Sequence, residues 1–229
     1  MEIHAARIDL RAEGVRFVMS PPVADQPTPM RSLKTSSFLT RYPCQLAINA
    51  SPYDPVVDDE GQPQKVVGLA VSEGKVYGTE LPGLGALLIT RDNRVHIGMP
   101  PFDLSLAHNA AGGFSMVLSQ GKNVGDNHDL HPRTAAGVSR DGRYLYLLVI
   151  DGRQPLYSEG ATTADLGTWL ANLGAWDGLN FDGGGSSAMV IEGPDGKPLV
   201  LNRPIHKNIP GTERPSASHL GVIADRLQK

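Results

Sequence analysis

Short apolar runs, joined by residues that tolerate left-handed backbone, set the strongest limit on what this chain can fold into. "KVVGLAVSEGKVYG" reads as a strand, a turn at Glu73-Gly74 and a second strand. "GALLITRDNRVHIG" repeats the plan around Asp92-Asn93, and "TAAGVSRDGRYLYLLVI" repeats it around Asp141-Gly142. Such dipeptides bend hairpins because they accept positive φ. Tyr144 to Ile150 is nearly all apolar, which predicts a central strand covered on both faces. The hairpins share a local plan but no fixed period, so no repeat architecture is implied.

Helical signals are few. From Thr163 to Leu173, the residues Leu166, Trp169, Leu170 and Leu173 fall on one helical face. Thr162 with Asp165 resembles a capping box, and Gly174 is placed to close the C-terminus. A second, weaker helix is expected from about Ser32 to Arg41. The segments Val56 to Gln64 and Asn123 to Pro132 read as long surface loops. No stretch is rich enough in Pro, Gly or Ser to divide the chain. The expectation is one α+β domain over residues 1–229, mostly antiparallel β-sheet with two or three helices.

At 229 residues, 40% of them hydrophobic, the chain is long enough to bury a real core. A formal net charge of −3 argues against a protein whose main work is gripping nucleic acid or an anionic membrane. No apolar run is long enough to span a bilayer. The opening "MEIHAARIDLRAEG" lacks the basic and apolar regions of a signal peptide. That fits a cytoplasmic chain as it stands, or a secreted or periplasmic one whose leader has been removed. Cys44 is the only cysteine, so no intrachain disulfide forms. In "CQLAINA" it reads as a small buried hydrophobe rather than a catalytic thiol.

Two apolar segments end in Asp-Gly: "LLVIDGR" at Asp151 and "GLNFDGGGSS" at Asp182. Each alone is an ordinary turn, but Asp182 precedes three glycines, more than a simple turn needs. A third glycine points to close approach of a ligand or another backbone. Successive glycine N–H groups also suit an anion, and Ser186 and Ser187 add hydroxyls. In "HPRTAAGVSRDG", Arg133 offers a planar fork suited to phosphate or carboxylate, with His131 beside it. The serines make neither a phosphate-binding P-loop nor a nucleophile elbow. His128 and His131 with Asp126 and Asp129 form a weak metal candidate.

"HPRTAAGVSRDGRYLYLLVIDGR", "LNFDGGGSSAMV" and "NRPIHKNIPGTERPSASHLGV" together resemble the phosphodiester glycosidase domain. This is the domain of the lysosomal enzyme that uncovers mannose 6-phosphate by removing N-acetylglucosamine, and of many bacterial relatives. The resemblance reaches back to "IHAARIDLRAEGVRF" and "QLAINASPYDP", and so covers nearly the whole chain. In "INASPYDP" the sequence departs from relatives that carry Phe and Gly-like residues after Ile-Asn-Ala. The resemblance implies a hydrolase that cleaves the glycosidic bond of a sugar-1-phosphodiester, giving free sugar and a phosphomonoester. It implies Asp182, Asp151, Glu213 and Arg133 as catalytic residues. As substrate-binding residues it implies Asn49, His131, Thr134, Gly152, Arg153, Asn180, Gly183, Gly184, Ser186, Arg203 and Arg214. Asp182 is the expected base or nucleophile, Asp151 or Glu213 the second carboxylate, and Arg133 the phosphate holder. No cofactor is required, although carboxylates beside a phosphate can recruit a divalent cation. Two other readings are a non-catalytic binding protein for phosphodiester-containing glycans or exopolysaccharide, and a phosphodiesterase that breaks P–O.

Overall fold

In the computed structural model, which describes residues 1–23 and 30–225, the three turn dipeptides fall where hairpins bend. Glu73 and Gly74 take φ of 50° and 79°, Asn93 takes 61° and Gly142 takes 64°. They join Ala70–Ser72 to Lys75–Gly78, Ala86–Thr90 to Val95–Gly98, and Arg133–Ser139 to Tyr144–Ile150. The last hairpin lies inside a six-stranded sheet. Its order is Ile3–Asp9, Tyr144–Ile150, Arg133–Ser139, Ala175–Asn180, Met116–Ser119 and Lys122–Asn123. Every ladder between the described strands is antiparallel, and the fold is α+β.

Tyr144–Ile150 is covered on both faces, as its composition predicts. Leu145, Leu147 and Val149 enter the main core, whereas Tyr146, Leu148 and Ile150 enter a second core on the opposite face. Strand side chains alternate, so a strand buried on both sides has to be apolar throughout. Truncating a leucine in such a position typically costs about 2–5 kcal/mol.

Helix α1 (Thr35–Arg41) and helix α2 (Thr163–Leu173) are the two α-helices among the described residues. For α2 the capping box of Thr162 and Asp165 is formed, and Gly174 closes the helix at φ 104°. Its buried stripe differs from the expected one. Thr163, Leu166, Gly167 and Leu170 face inward, while Trp169 and Leu173 are exposed. A side chain at Gly167 would collide with the Val117 carbonyl, so the helix is rotated to lay its glycine on the strand. Helix α1 starts at Thr35 rather than Ser32, because Ser32 and Leu33 pair with Gln62 and Ser216 in extended backbone. The loop expected from Val56 to Gln64 ends early, since Pro63–Val66 forms a strand with Gln64 fully buried. Cys44 is buried beside Phe38, and burial pushes its thiol up to about 12.

Two five-stranded sheets complete the main core. One runs Val95–Gly98, Ala86–Thr90, Ala107–Gly112, Ala70–Ser72, Lys75–Gly78. The other runs Pro198–Val200, Met189–Glu192, Leu46–Asn49, His219–Ile223, Arg16–Met19. Leu87 and Ile89 from the first, Ile48, Met189 and Leu220 from the second, and Leu147 and Leu179 from the six-stranded sheet share one apolar cluster. The polar chemistry gathers where the last two sheets meet.

Candidate active site

The strand Ala175–Asn180 ends inside the sheet, and Phe181, fully buried in the core, pins the residue that follows. The Phe181 N–H donates to the Thr134 carbonyl at 2.8 Å, and the Asp182 N–H donates to the Ala50 carbonyl at 3.0 Å. Asn49 Nδ2 donates to the Asp182 carbonyl at 2.7 Å. Asn49 Oδ1 accepts from Thr134 Oγ1 at 2.7 Å and from the Ala188 N–H at 3.1 Å. The backbone of Phe181 and Asp182 is thereby held from two sheets, Phe181 by the six-stranded one and Asp182 by Asn49 and Ala50. Its side chain is half-buried at a cleft of about 270 Å³, lined also by Phe114, His131, Arg133, Arg153, Asn180 and Arg214. Burial raises the Asp182 carboxyl to about 6, against the opposing pull of Ser186, Arg214, the Gly183 N–H and Arg153.

The three glycines act differently from an open N–H nest. The Gly183 N–H serves the Asp182 carboxyl, and the Gly184 N–H donates to the Pro132 carbonyl at 2.9 Å. Ser186 and Ser187 close a single 3₁₀ turn on the carbonyls of Gly183 and Gly184. What the glycines supply is space. A Cβ on Gly183 would sit 2.7 Å from the Pro132 carbonyl, on Gly184 3.1 Å from Arg153 Nη1, and on Gly185 2.5 Å from Arg214 Nη2. Two guanidinium groups therefore lie against bare backbone within electrostatic reach of the carboxyl.

Each of these arginines is held by a histidine. Arg153 Nη2 lies 3.3 Å from His131 Nδ1, and Arg214 Nε donates to His206 Nδ1 at 3.1 Å. Burial, then the neighbouring arginines, lower the pKa of His131, and burial with Arg214 does the same to His206. Neutral rings leave Nδ1 able to accept a hydrogen bond. Arg133 is more tightly engaged. Its Nε donates to the Ala161 carbonyl at 3.0 Å and its Nη2 to the Asp129 carbonyl at 2.8 Å, fastening the 127–131 loop at the cleft wall.

The model of the family described as phosphodiester glycosidase matches residues 42–223. This chain belongs to the phosphodiester glycosidase family. No match was found among curated proteins. Among solved structures, it is similar to the zebrafish N-acetylglucosamine-1-phosphodiester alpha-N-acetylglucosaminidase catalytic domain, auto-inhibited by its pro-peptide. The two share 17% identity at a TM-score of 0.69, over 98% of this chain and 83% of that one. A putative exported protein from Burkholderia pseudomallei gives 14% identity and a TM-score of 0.70, over 96% of this chain and 73% of that one. A hypothetical protein from Synechocystis gives 13% and 0.61, over 97% of this chain and 59% of that one. At these identities the likeness is one of fold.

Within this phosphodiester glycosidase fold, the residues named from the sequence separate into those at the cleft and those behind it. Asp182, His131, Arg133, Arg153, Asn180, Gly183, Gly184 and Arg214 line the cleft. Ser186 is buried under Asp182 and bonds Tyr53 at 2.9 Å. The structure does not bring the two expected second carboxylates to the lining. Asp151 is 1% exposed, and its oxygens accept from the Arg203 N–H, Asn202 Nδ2 and Tyr157 Oη at 2.9–3.1 Å. Glu213 accepts from the Ser36 N–H at 3.0 Å and from Ser36 Oγ at 2.5 Å, anchoring the start of α1. Arg203 lies over the Tyr157 ring, and Gly152 packs against the Pro132 backbone. Asn49 and Thr134 are wholly buried, so their place is to hold Asp182 rather than to touch a ligand.

The metal candidate at Asp126, His128, Asp129 and His131 does not assemble: among the described residues, no three His, Cys, Asp or Glu side chains converge. Three residues went unread in the sequence. Tyr53 stands beside Asp182, with its hydroxyl pushed up to about 12 by burial and by that carboxyl. Phe114 is exposed at the cleft rim, and His206 stands behind Arg214. None has a local signature, although "INASPYDP" marked the wall that carries Tyr53.

Proposed function

We propose that this chain hydrolyses the glycosidic bond of a sugar-1-phosphodiester, releasing free sugar and a phosphomonoester. The observation that carries this reading is one carboxyl, Asp182, as the sole acidic side chain among the described residues that line a cleft also presenting Arg133, Arg153 and Arg214. A leaving phosphomonoester has a second pKa of about 6 and departs as a stable anion, so it does not depend on a strong acid. It depends on positive charge where the phosphate leaves, which Arg153 and Arg214 supply in a partly desolvated cleft. That requirement is compatible with Asp151 and Glu213 being engaged elsewhere. In the reaction, the C1–O bond breaks with its electron pair going to the phosphate oxygen. A water oxygen ends on C1, with ionised Asp182 as the base for that water or as the nucleophile preceding it.

The test is a panel of sugar-1-phosphodiesters followed by phosphorus NMR in ¹⁸O-water, with and without chelator. The expected result is a phosphomonoester without label and a sugar with it, and no turnover by Asp182→Asn at unchanged fold. Label on the phosphate would mean P–O cleavage instead. A diester bound but unchanged across the panel would leave a binding protein.

A further inference from the structure

The cleft is backed by a second layer that reaches a surface loop. His206 ends a tight hairpin of Ile205–His206 and Ile209–Pro210, whose turn residues Lys207 and Asn208 have φ of 53° and 60°. Two positive-φ residues fix such a turn rigidly. Lys207 Nζ binds Asp58 Oδ2 at 2.7 Å, and Asp58 Oδ1 lies 3.1 Å from His206 Nε2. On the other side of the ring, Nδ1 accepts from Arg214 Nε at 3.1 Å. An acceptor on one side and a donor on the other define a single arrangement: proton on Nε2, lone pair on Nδ1. Arg214 in turn lies against bare Gly185 and acts on the Asp182 carboxyl.

The geometry points to His206 as a positioning residue, which is braced at Nε2 by Asp58 and through Nδ1 holds Arg214 at the phosphate end of the cleft. This rests on the reading of the cleft given above. The charged groups facing the ring are Asp58, Lys207 and Arg214. Protonation would place a second donor on Nδ1 against Arg214 Nε and break the hold. The lowered pKa of His206, from burial first and Arg214 second, keeps that loss on the acid side of the ordinary histidine range. A metal-ligating histidine would need at least two further His, Cys, Asp or Glu side chains converging with it, and among the described residues no such group of three assembles.

Two substitutions separate the ring's two nitrogens. The amide of His206→Asn reaches the place of Nδ1 and keeps an acceptor for Arg214, while that of His206→Gln reaches Nε2 and loses it. Inorganic phosphate, titrated by calorimetry, reads the cleft without turnover. A hydrogen bond to a charged group is worth enough that His206→Gln is expected to weaken phosphate binding about tenfold or more. His206→Asn should stay within about threefold of the unsubstituted protein. The exposed Asp58→Ala keeps the fold testable should either fail to fold: Arg214 Nε still donates to Nδ1, so ¹⁵N NMR should keep the Nε2–H form but show the Nε2 resonance shifted by loss of its carboxylate partner. Equal affinity for the two His206 variants, or an Nε2 resonance that ignores Asp58, would overturn the relay. If the unsubstituted protein bound no phosphate, the cleft reading would fall, and the ring nitrogens would still decide whether Arg214 is held.

Discussion

Asp182 combines two properties that pull against each other. Its backbone is fixed by Asn49 and Ala50, with Phe181 before it tied to the six-stranded sheet, and burial makes its charge costly. The sign for stability follows from its folded pKa being raised, from 3.8 to about 6. Protonated Asp182 favours the fold below about pH 4, and that contribution is lost as pH rises through about 6. Asp182→Asn removes the titration. Its stability relative to the parent is expected to climb between pH 4 and 6.5 and level off above, by at most about 3 kcal/mol. Denaturant melts across that range check this, and a flat difference would refute it. Catalysis should run the other way, with kcat/KM rising through about pH 6 as the base form appears. Gly185 tests the neighbouring charge. Its φ is not in the left-handed region, but an added Cβ would sit 2.5 Å from Arg214 Nη2, at the end of a flexible side chain. Gly185→Ala is therefore expected to fold with little loss of stability and lose about tenfold or more in kcat/KM. Parent-like turnover would mean that Arg214 can move without consequence. The sequence made the glycines legible as a sign of close approach. It could not say that the approaching groups were a carbonyl and two guanidiniums, because nothing local encodes a partner from another loop.

At the scale of elements, the hairpins were legible because their partners are neighbours in sequence and their turn residues have few conformational alternatives. Helix α2 was legible in extent and caps but not in phase. Leu166 and Leu170 lie on both the expected and the observed stripe, and the difference is whether Trp169 or Gly167 joins them. Counting apolar side chains favours tryptophan, whereas close contact with the Met116–Ser119 strand favours the residue with no side chain. This yields a prediction opposite to helix propensity. Alanine stabilises a helix interior over glycine by about 1 kcal/mol. At Gly167, however, the new methyl would meet the Val117 carbonyl and the Asn123 amide. Gly167→Ala is expected to destabilise by about 1–3 kcal/mol, as overpacking does. A thermal melt above that of the parent would show that the helix can shift. Asp151 and Glu213 make the same point about elements. Both carboxylates read as chemistry in the sequence, yet one braces a loop and the other the start of α1.

At the scale of the molecule, the arrangement of three sheets was not legible, because its pairings are distant. Leu46–Asn49 lies between Met189–Glu192 and His219–Ile223, and each joins the first quarter of the chain to its end. The candidate site lies on the seam this creates with the six-stranded sheet, and Asn49 closes the seam. Its amide joins Thr134 of one sheet, Ala188 beside the other, and the carbonyl of Asp182 between them. Two of these bonds are buried and the third partly so, and removing the amide leaves buried groups without partners. Asn49→Ala is expected to cost about 3–5 kcal/mol in urea melts. It should also lower kcat at temperatures where the variant is still fully folded, because the backbone that aims Asp182 is released. Asn49→Asp sharpens the comparison. It keeps the one Oδ1 acceptor shared by Thr134 and Ala188 but turns its second oxygen toward the Asp182 carbonyl, so activity should remain low even where stability partly returns. If either variant worked at the parent rate once corrected for its folded fraction, the seam would be a matter of stability alone. The aim of Asp182 would then have to come from Phe181 and the strand before it.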